Sequence, residues 1–239
     1  MLAQLDRIRL PNRSFSADLT ATEFRGGMKE RELILRMYTR KSASGFDSLF
    51  VCLAPAIDRN KLLLAKGEKL WFYDPRSARP VPVSPFQFRN HAFVLDALSS
   101  ALSLGYSADL EVDEAIVDLA RRQFKTHVLK LTPRESRKGG AATIKYWLEK
   151  ESRRPIKSEV SSASGKLLRT VYYSDFKNVL GESRPMRIVV LNAVERTVSE
   201  IKLSAFSYRE TPDSFFEESL MPSVSVQEME VTRQKTGKP

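Results

Sequence analysis

One cysteine and two histidines remove most of the site chemistry that a chain of 239 residues could carry. Cys52 alone can neither close an intramolecular disulfide nor build a four-cysteine zinc site. Its place in the apolar run SLFVCLA reads as a buried structural thiol. His91 and His127 have no GxSxG serine to serve, and no HExxH, P-loop or GxGxxG pattern occurs, so each histidine reads as structural rather than as a base. Long apolar runs are missing too: none reaches the ~20 residues that span a bilayer. The first ten residues, MLAQLDRIRL, lack the apolar core of a signal peptide. A start placed behind a removed leader fits the same residues, so they assign no cytoplasmic address.

What the chain has is positive charge, with 39 Lys and Arg against 29 Asp and Glu and a formal net charge of +10. Most of the excess falls between Arg121 and Lys157, where twelve basic residues meet only Glu135, Glu149 and Glu151. Such a segment suits nucleic acid, anionic headgroups or an acidic protein. Aromatics interleave with it in Tyr146 and Trp147, but no RNP-like motif accompanies them. It is expected to be a solvated or partner-facing surface, without nucleic acid as a partner.

The dominant periodicity is two, which predicts antiparallel strands with one buried face. Phe15, Ala17 and Leu19 share a face, as do Leu33, Leu35 and Met37, then Leu49, Val51 and Leu53. Later runs are His127 to Leu131, Ile144 to Leu148, Leu168 to Phe176, Arg187 to Leu191 and Val198 to Tyr208. Gly26-Gly27, Lys66-Gly67, Gly139-Gly140 and Ser164-Gly165 supply turn residues between them. Helical spacing is confined to Met1–Leu10, ended by Pro11, and to Asn90–Leu104 with Leu95, Leu98 and Leu102. One β-rich domain over residues 1–222 is expected, followed by a polar tail over 223–239. Sheet-facing Leu, Val, Phe and Trp under one or two helices would enclose an apolar cavity.

Asp109, Glu111 and Asp113 alternate with Leu110 and Val112, so a strand would put all three carboxylates on one face, as a calcium or acid-base site asks. A solvated strand looks the same, and Ile116 and Leu119 would suit a helix instead. A plain surface is the expectation, with no metal, cofactor or catalytic residue assigned.

The stretch LLLAKGEKLWFYDPRSARPVPVS, Leu62 to Ser84, carries a more specific signal. A Lys66-Gly67-Glu68-Lys69 turn leads into Leu70-Trp71-Phe72-Tyr73, closed by Asp74-Pro75. This block resembles the signature of the LolA/LolB-like superfamily of periplasmic lipoprotein carriers, in the branch of outer-membrane lipoprotein-sorting proteins. Phe15–Phe24 with Arg31–Tyr38 is similar to that family's first hairpin. The run from Thr143 to Phe176, with its Gly165-Lys166 turn, is similar to the central hairpin, and PDSFFEESLMP at 212–222 to the closing segment.

The resemblance implies an unclosed β-barrel of about eleven antiparallel strands with a helical lid. It implies a non-enzymatic monomer that holds the acyl chains of lipoproteins, takes them from an inner-membrane transporter and passes them toward an outer-membrane acceptor. A periplasmic address follows, with a native N-terminus that could itself be lipidated; another amphiphile, a glycolipid or phospholipid, is the alternative cargo. Each methylene is worth ~0.8 kcal/mol on burial, so acyl chains cross water only inside a dry cavity. Expected lining residues are Leu35, Met37, Leu49, Val51, Trp71, Tyr73, Leu95, Leu98, Leu129, Trp147 and Leu191. Trp71 reads equally well as a core tryptophan at the barrel rim. Arg40 stands where the family keeps a functional basic residue near the end of its second strand, suited to holding a lid carbonyl or a lipid ester.

Overall fold

A computed structural model describes residues 1–42, 45–67, 69–84, 101–134 and 143–224. Thirteen strands occur among them: β1 (Phe15–Arg25), β2 (Met28–Ser42), β3 (Gly45–Ala54), β4 (Leu62–Lys66), β5 (Lys69–Tyr73), β6 (Val81–Val83), β7 (Tyr106–Val117), β8 (Gln123–Pro133), β9 (Thr143–Glu149), β10 (Pro155–Ser161), β11 (Leu167–Val179), β12 (Glu182–Asn192) and β13 (Thr197–Tyr208). They form one antiparallel sheet in the order β6-β5-β4-β3-β2-β1-β13-β12-β11-β10-β9-β8-β7. The sheet does not close, because β6 and β7 end it. The count exceeds the expected eleven; the additions include the three-residue β6 and the whole of β7, whose residues 109–117 lie in a strand and not in the alternative helix.

Period-two patterning sets the strands, and glycine sets the two-residue turn between the first two. Gly26 and Gly27, between β1 and β2, hold φ of +57° and +81°, the left-handed region that side chains with a Cβ avoid. Helix α1 (Leu2–Arg9) matches the expected Met1–Leu10 helix and buries Leu5 and Ile8. A four-residue helix α2 (Leu102–Gly105) lies at the end of the second expected helix, of which residues 90–100 fall outside the described residues. The Gly139-Gly140 turn, His91 and the tail beyond 224 also fall outside them.

The chain gathers into two compact units. One comprises residues 1–11, 22–31 and 101–202, the other 12–21, 32–100 and 203–239. In the first unit Asp6 of α1 accepts hydrogen bonds from the backbone N–H groups of Leu102 (2.7 Å) and Ser103 (3.0 Å). The buried Arg184 of β12 donates to the carbonyls of Arg7 and Ile8 at 2.7 and 2.6 Å, satisfying two C-terminal acceptors of α1.

In the second unit two short 3₁₀ turns, Asp213–Phe216 and Glu218–Ser223, follow the last strand. They drop Phe215, Phe216 and Met221 onto Tyr38, Leu49, Val51, Leu62 and Leu64, with Trp71 and Tyr73 packed at the margin. Burying each of the large side chains contributes about 1.5–3 kcal/mol.

Candidate functional site

Strand register divides the second unit's part of the sheet into two faces of different character. Antiparallel partners directly opposite each other share a face. Leu35 pairs with Cys52 and Met37 with Phe50, and the row continues through Leu63 and Phe72. Thr39, Ser48, Ala65 and Leu70 stand on the same side. Apart from the exposed Lys41, which pairs with Phe46 at its end, this first face carries no ionic side chain from Leu35 to Phe72. Its two hydroxyls, Thr39 and Ser48, are fully buried and hydrogen-bond each other at 3.1 Å, and the Cys52 thiol donates to the Ala54 carbonyl at 3.4 Å. Its polar side chains therefore ask nothing of water or of a ligand.

Tyr38 pairs with Leu49, Arg36 with Val51, Leu64 with Trp71 and Leu62 with Tyr73, which makes the second face. This is the face filled by Phe215, Phe216 and Met221. Of the residues expected to line a cavity, Leu35 and Met37 stand on the first face, whereas Leu49, Val51, Trp71, Tyr73 and Arg40 stand on the second. One cavity cannot take both sets. The sequence places Leu33–Leu35–Met37 and Leu49–Leu53 as alternating runs but leaves their mutual phase open, and only the register resolves it.

The second face also holds the ionic groups. Arg36 forms a two-point pair with Asp18 at 2.7 and 3.1 Å, which pushes the guanidinium's already high pKa further up. Arg40 binds Asp47 at 3.1 Å and the Asp213 carboxylate, and its guanidinium lies 4.5 Å from the centre of the Phe216 ring. Lys66 reaches Glu217 at 3.6 Å and Glu218 at 3.8 Å. Arg40 thus holds the closing turns against β2 and β3, and Asp213 and Phe216 both belong to the closing PDSFFEESLMP segment read in the sequence. Burial raises the pKa of the Tyr38 hydroxyl above the ordinary phenol value.

In the first unit Leu129 pairs with Tyr146, on the face of Leu131 and Leu148, all buried. Trp147 pairs with Val128 and lies on the opposite face, which Leu191 shares through Thr170 and Glu159. Leu129 therefore parts from Trp147 and Leu191, and Leu95 and Leu98 lie outside the described residues. Trp147 stands between the ammonium groups of Lys157 (4.4 Å from the ring centre) and Lys145 (5.0 Å), while its Nε1–H donates to Glu114 at 2.9 Å.

The acidic strand pairs with the basic segment. Lys145 binds Glu111 at 3.1 Å and Glu114 at 3.0 Å, Lys150 binds Asp113 at 2.5 Å, Lys157 binds Glu159 at 2.6 Å and Arg154 binds Glu149 at 2.8 Å. Hydrogen bonds from Lys150 and His127 hold Asp113 below the usual carboxylate range; those from Trp147 and Lys145 do the same for Glu114. An irregularity between Glu111 and Glu114 breaks the alternation. Asp113 consequently turns to His127 Nδ1 at 2.9 Å and away from the Glu111 side, so the three carboxylates do not share one face. Among the described residues no cluster of His, Cys, Asp or Glu has the arrangement of a metal site, and no helix is long and apolar enough to cross a membrane.

A family model described only as that of an uncharacterized protein matches residues 45–223. No curated protein matches the chain. Among solved structures it is similar to a LolA superfamily protein from Nitrosomonas europaea, with 28% identity, 90% of this chain and 95% of that chain covered, and a TM-score of 0.76. The same fold occurs in a DUF1329 family protein from Desulfovibrio piger, at 16% identity, 92% and 95% coverage and a TM-score of 0.77. It occurs again in a domain assigned to the outer membrane lipoprotein-sorting proteins of Vibrio parahaemolyticus, at 18% identity, 92% and 97% coverage and a TM-score of 0.75.

Proposed function

The chain belongs to the family whose model spans its residues 45–223 and shares the fold of a LolA superfamily protein, and on that premise we propose that it is a non-enzymatic carrier of lipoprotein acyl chains. The supporting observation is the uneven pair of faces in the second unit. Leu35, Met37, Phe50, Leu63, Leu70 and Phe72 form a wall without ionic groups, buried in this structure except for the half-buried Phe72, while the chain's own closing turns pack on the opposite face. A hydrocarbon tail gains ~0.8 kcal/mol for each methylene brought out of water onto such a wall, and no unpaired polar side chain there opposes it. The reading assigns Leu35 and Met37 to the cargo and Leu49, Val51, Trp71 and Tyr73 to the sealed face. Leu129, on the buried apolar face of the first unit, is assigned to that unit's core.

In this reading the protein works as a monomer in the periplasm, receives cargo from an inner-membrane transporter and passes it to an outer-membrane acceptor. Native mass spectrometry of protein prepared from a membrane-bearing host tests it. The expected spectrum contains a lipid or lipopeptide adduct, and the delipidated protein takes up a fluorescent fatty acid. Protein that is empty and ignores the fatty acid would overturn the proposal. An adduct consisting of phospholipid or glycolipid alone would reassign the cargo while keeping the carrier.

A further inference from the structure

The two strands that end the sheet are unlike each other. β6 has three residues with Pro82 in the middle, a short end that cannot donate at its centre. β7 has twelve residues, no proline and no lysine, and among the described residues it pairs with no strand but β8. Every residue from Ser107 to Ala115 is exposed, with Leu110 60% and Val112 85% accessible. An open edge of this length is a template for another strand. The register is regular from Tyr106 to Glu111, a stretch of about 20 Å, before the irregularity at Val112-Asp113.

The ionisable side chains of β7 identify the guest. Apart from Tyr106 all are acidic: Asp109, Glu111, Asp113 and Glu114. The cations that answer them, Lys130, Lys145 and Lys150, belong to β8, β9 and the turn after β9, so β7 itself brings only acidic charge to the edge, with Glu111, Asp113 and Glu114 paired inward. Among the described residues Asp109 has no ion pair. A second copy of the chain would set these carboxylates against their equals, which like-charge strand pairing penalises. The geometry points to β7 as a docking edge for an extended segment of a partner protein in which basic and apolar residues alternate. Basic residues would stand beside Asp109 and Glu111, and an apolar residue between them would cover Leu110, which sits beside the buried Leu129.

The probe is a labelled alternating Lys–Val octapeptide, compared with a Glu–Val octapeptide, read by fluorescence anisotropy and by hydrogen exchange. Expected are binding of the basic peptide alone and slowed exchange at residues 107–112. Asp109→Lys breaks no ion pair among the described residues and should weaken the basic peptide about tenfold. The double variant Asp109→Lys, Glu111→Lys should transfer preference to the acidic peptide. Equal affinity for both peptides, no binding, or protection elsewhere would overturn the inference. So would protection of β7 that grows with protein concentration without peptide, which would make the guest a second copy.

Discussion

Arg40 and Asp213 join side chain to side chain across 173 residues of sequence, and the same guanidinium holds the nearly buried Asp47. The two acids differ in exposure, 90% for Asp213 and 5% for Asp47, so the two halves of the latch are unequal. Asp213→Ala removes an exposed partner and should cost below about 1 kcal/mol. Arg40→Ala strands the Asp47 carboxylate and uncovers Phe216, and should cost about 2–3 kcal/mol. Urea unfolding of both variants measures the difference, and equal losses would contradict the assignment of Arg40 to Asp47.

On the proposed assignment, the two faces separate binding from stability. Leu63→Asn places an amide on the wall assigned to cargo and should weaken fatty-acid affinity about tenfold. Trp71→Ala thins the core under the closing turns, so about 2–3 kcal/mol of stability should go while affinity changes by less than about twofold. Titration with a fluorescent fatty acid, at a temperature where both variants are folded, checks the pair. The reverse pattern would put the cargo on the other face.

Glu23 on β1 works against folding near neutral pH. Partial burial, followed by the nearby Glu30 and Glu195 carboxylates, raises its pKa. Between the unfolded value of 4.5 and the raised folded value the native state holds more protons, so stability falls as pH rises through that window. Glu23→Gln should therefore raise the melting temperature at pH 7, and the gain should shrink as pH drops toward 4.

Glu114 has the opposite sign. Its lowered pKa means the unfolded state takes up protons first, so its contribution is complete above the unfolded value of 4.5 and fades as pH falls through the folded value. The emission of Trp147, whose Nε1–H it accepts, should shift in acid before global unfolding, and Glu114→Gln should abolish that early shift.

Much of the architecture can be read from residue alternation, because β10 buries every second side chain from Ile156 to Val160, and β2 and β8 do so over part of their length. The LWFYDP block locates β5 and the turn after it. Face assignment is not legible in this way: in β3 six consecutive residues, Asp47 to Cys52, are all buried, so periodicity cannot choose an inner side. Nor could spacing reveal the irregularity at Val112-Asp113, which redirects Asp113 to His127. Arg40's place near the end of β2 was legible from position, but its partners were not, since Asp213 lies 173 residues further along the sequence.

Helix α1 poses a timing problem for a chain made from its N-terminus. The residues that anchor it, Leu102, Ser103, Glu182 and Arg184, are synthesised long after it. Strand β1 waits in the same way for β13. Residues 2–25 thus emerge before part of what buries them: β2 follows at once, but closure against Arg184 and β13 waits until those segments are made. Such distant pairing slows folding and lengthens the interval in which a nascent chain needs guarding against aggregation.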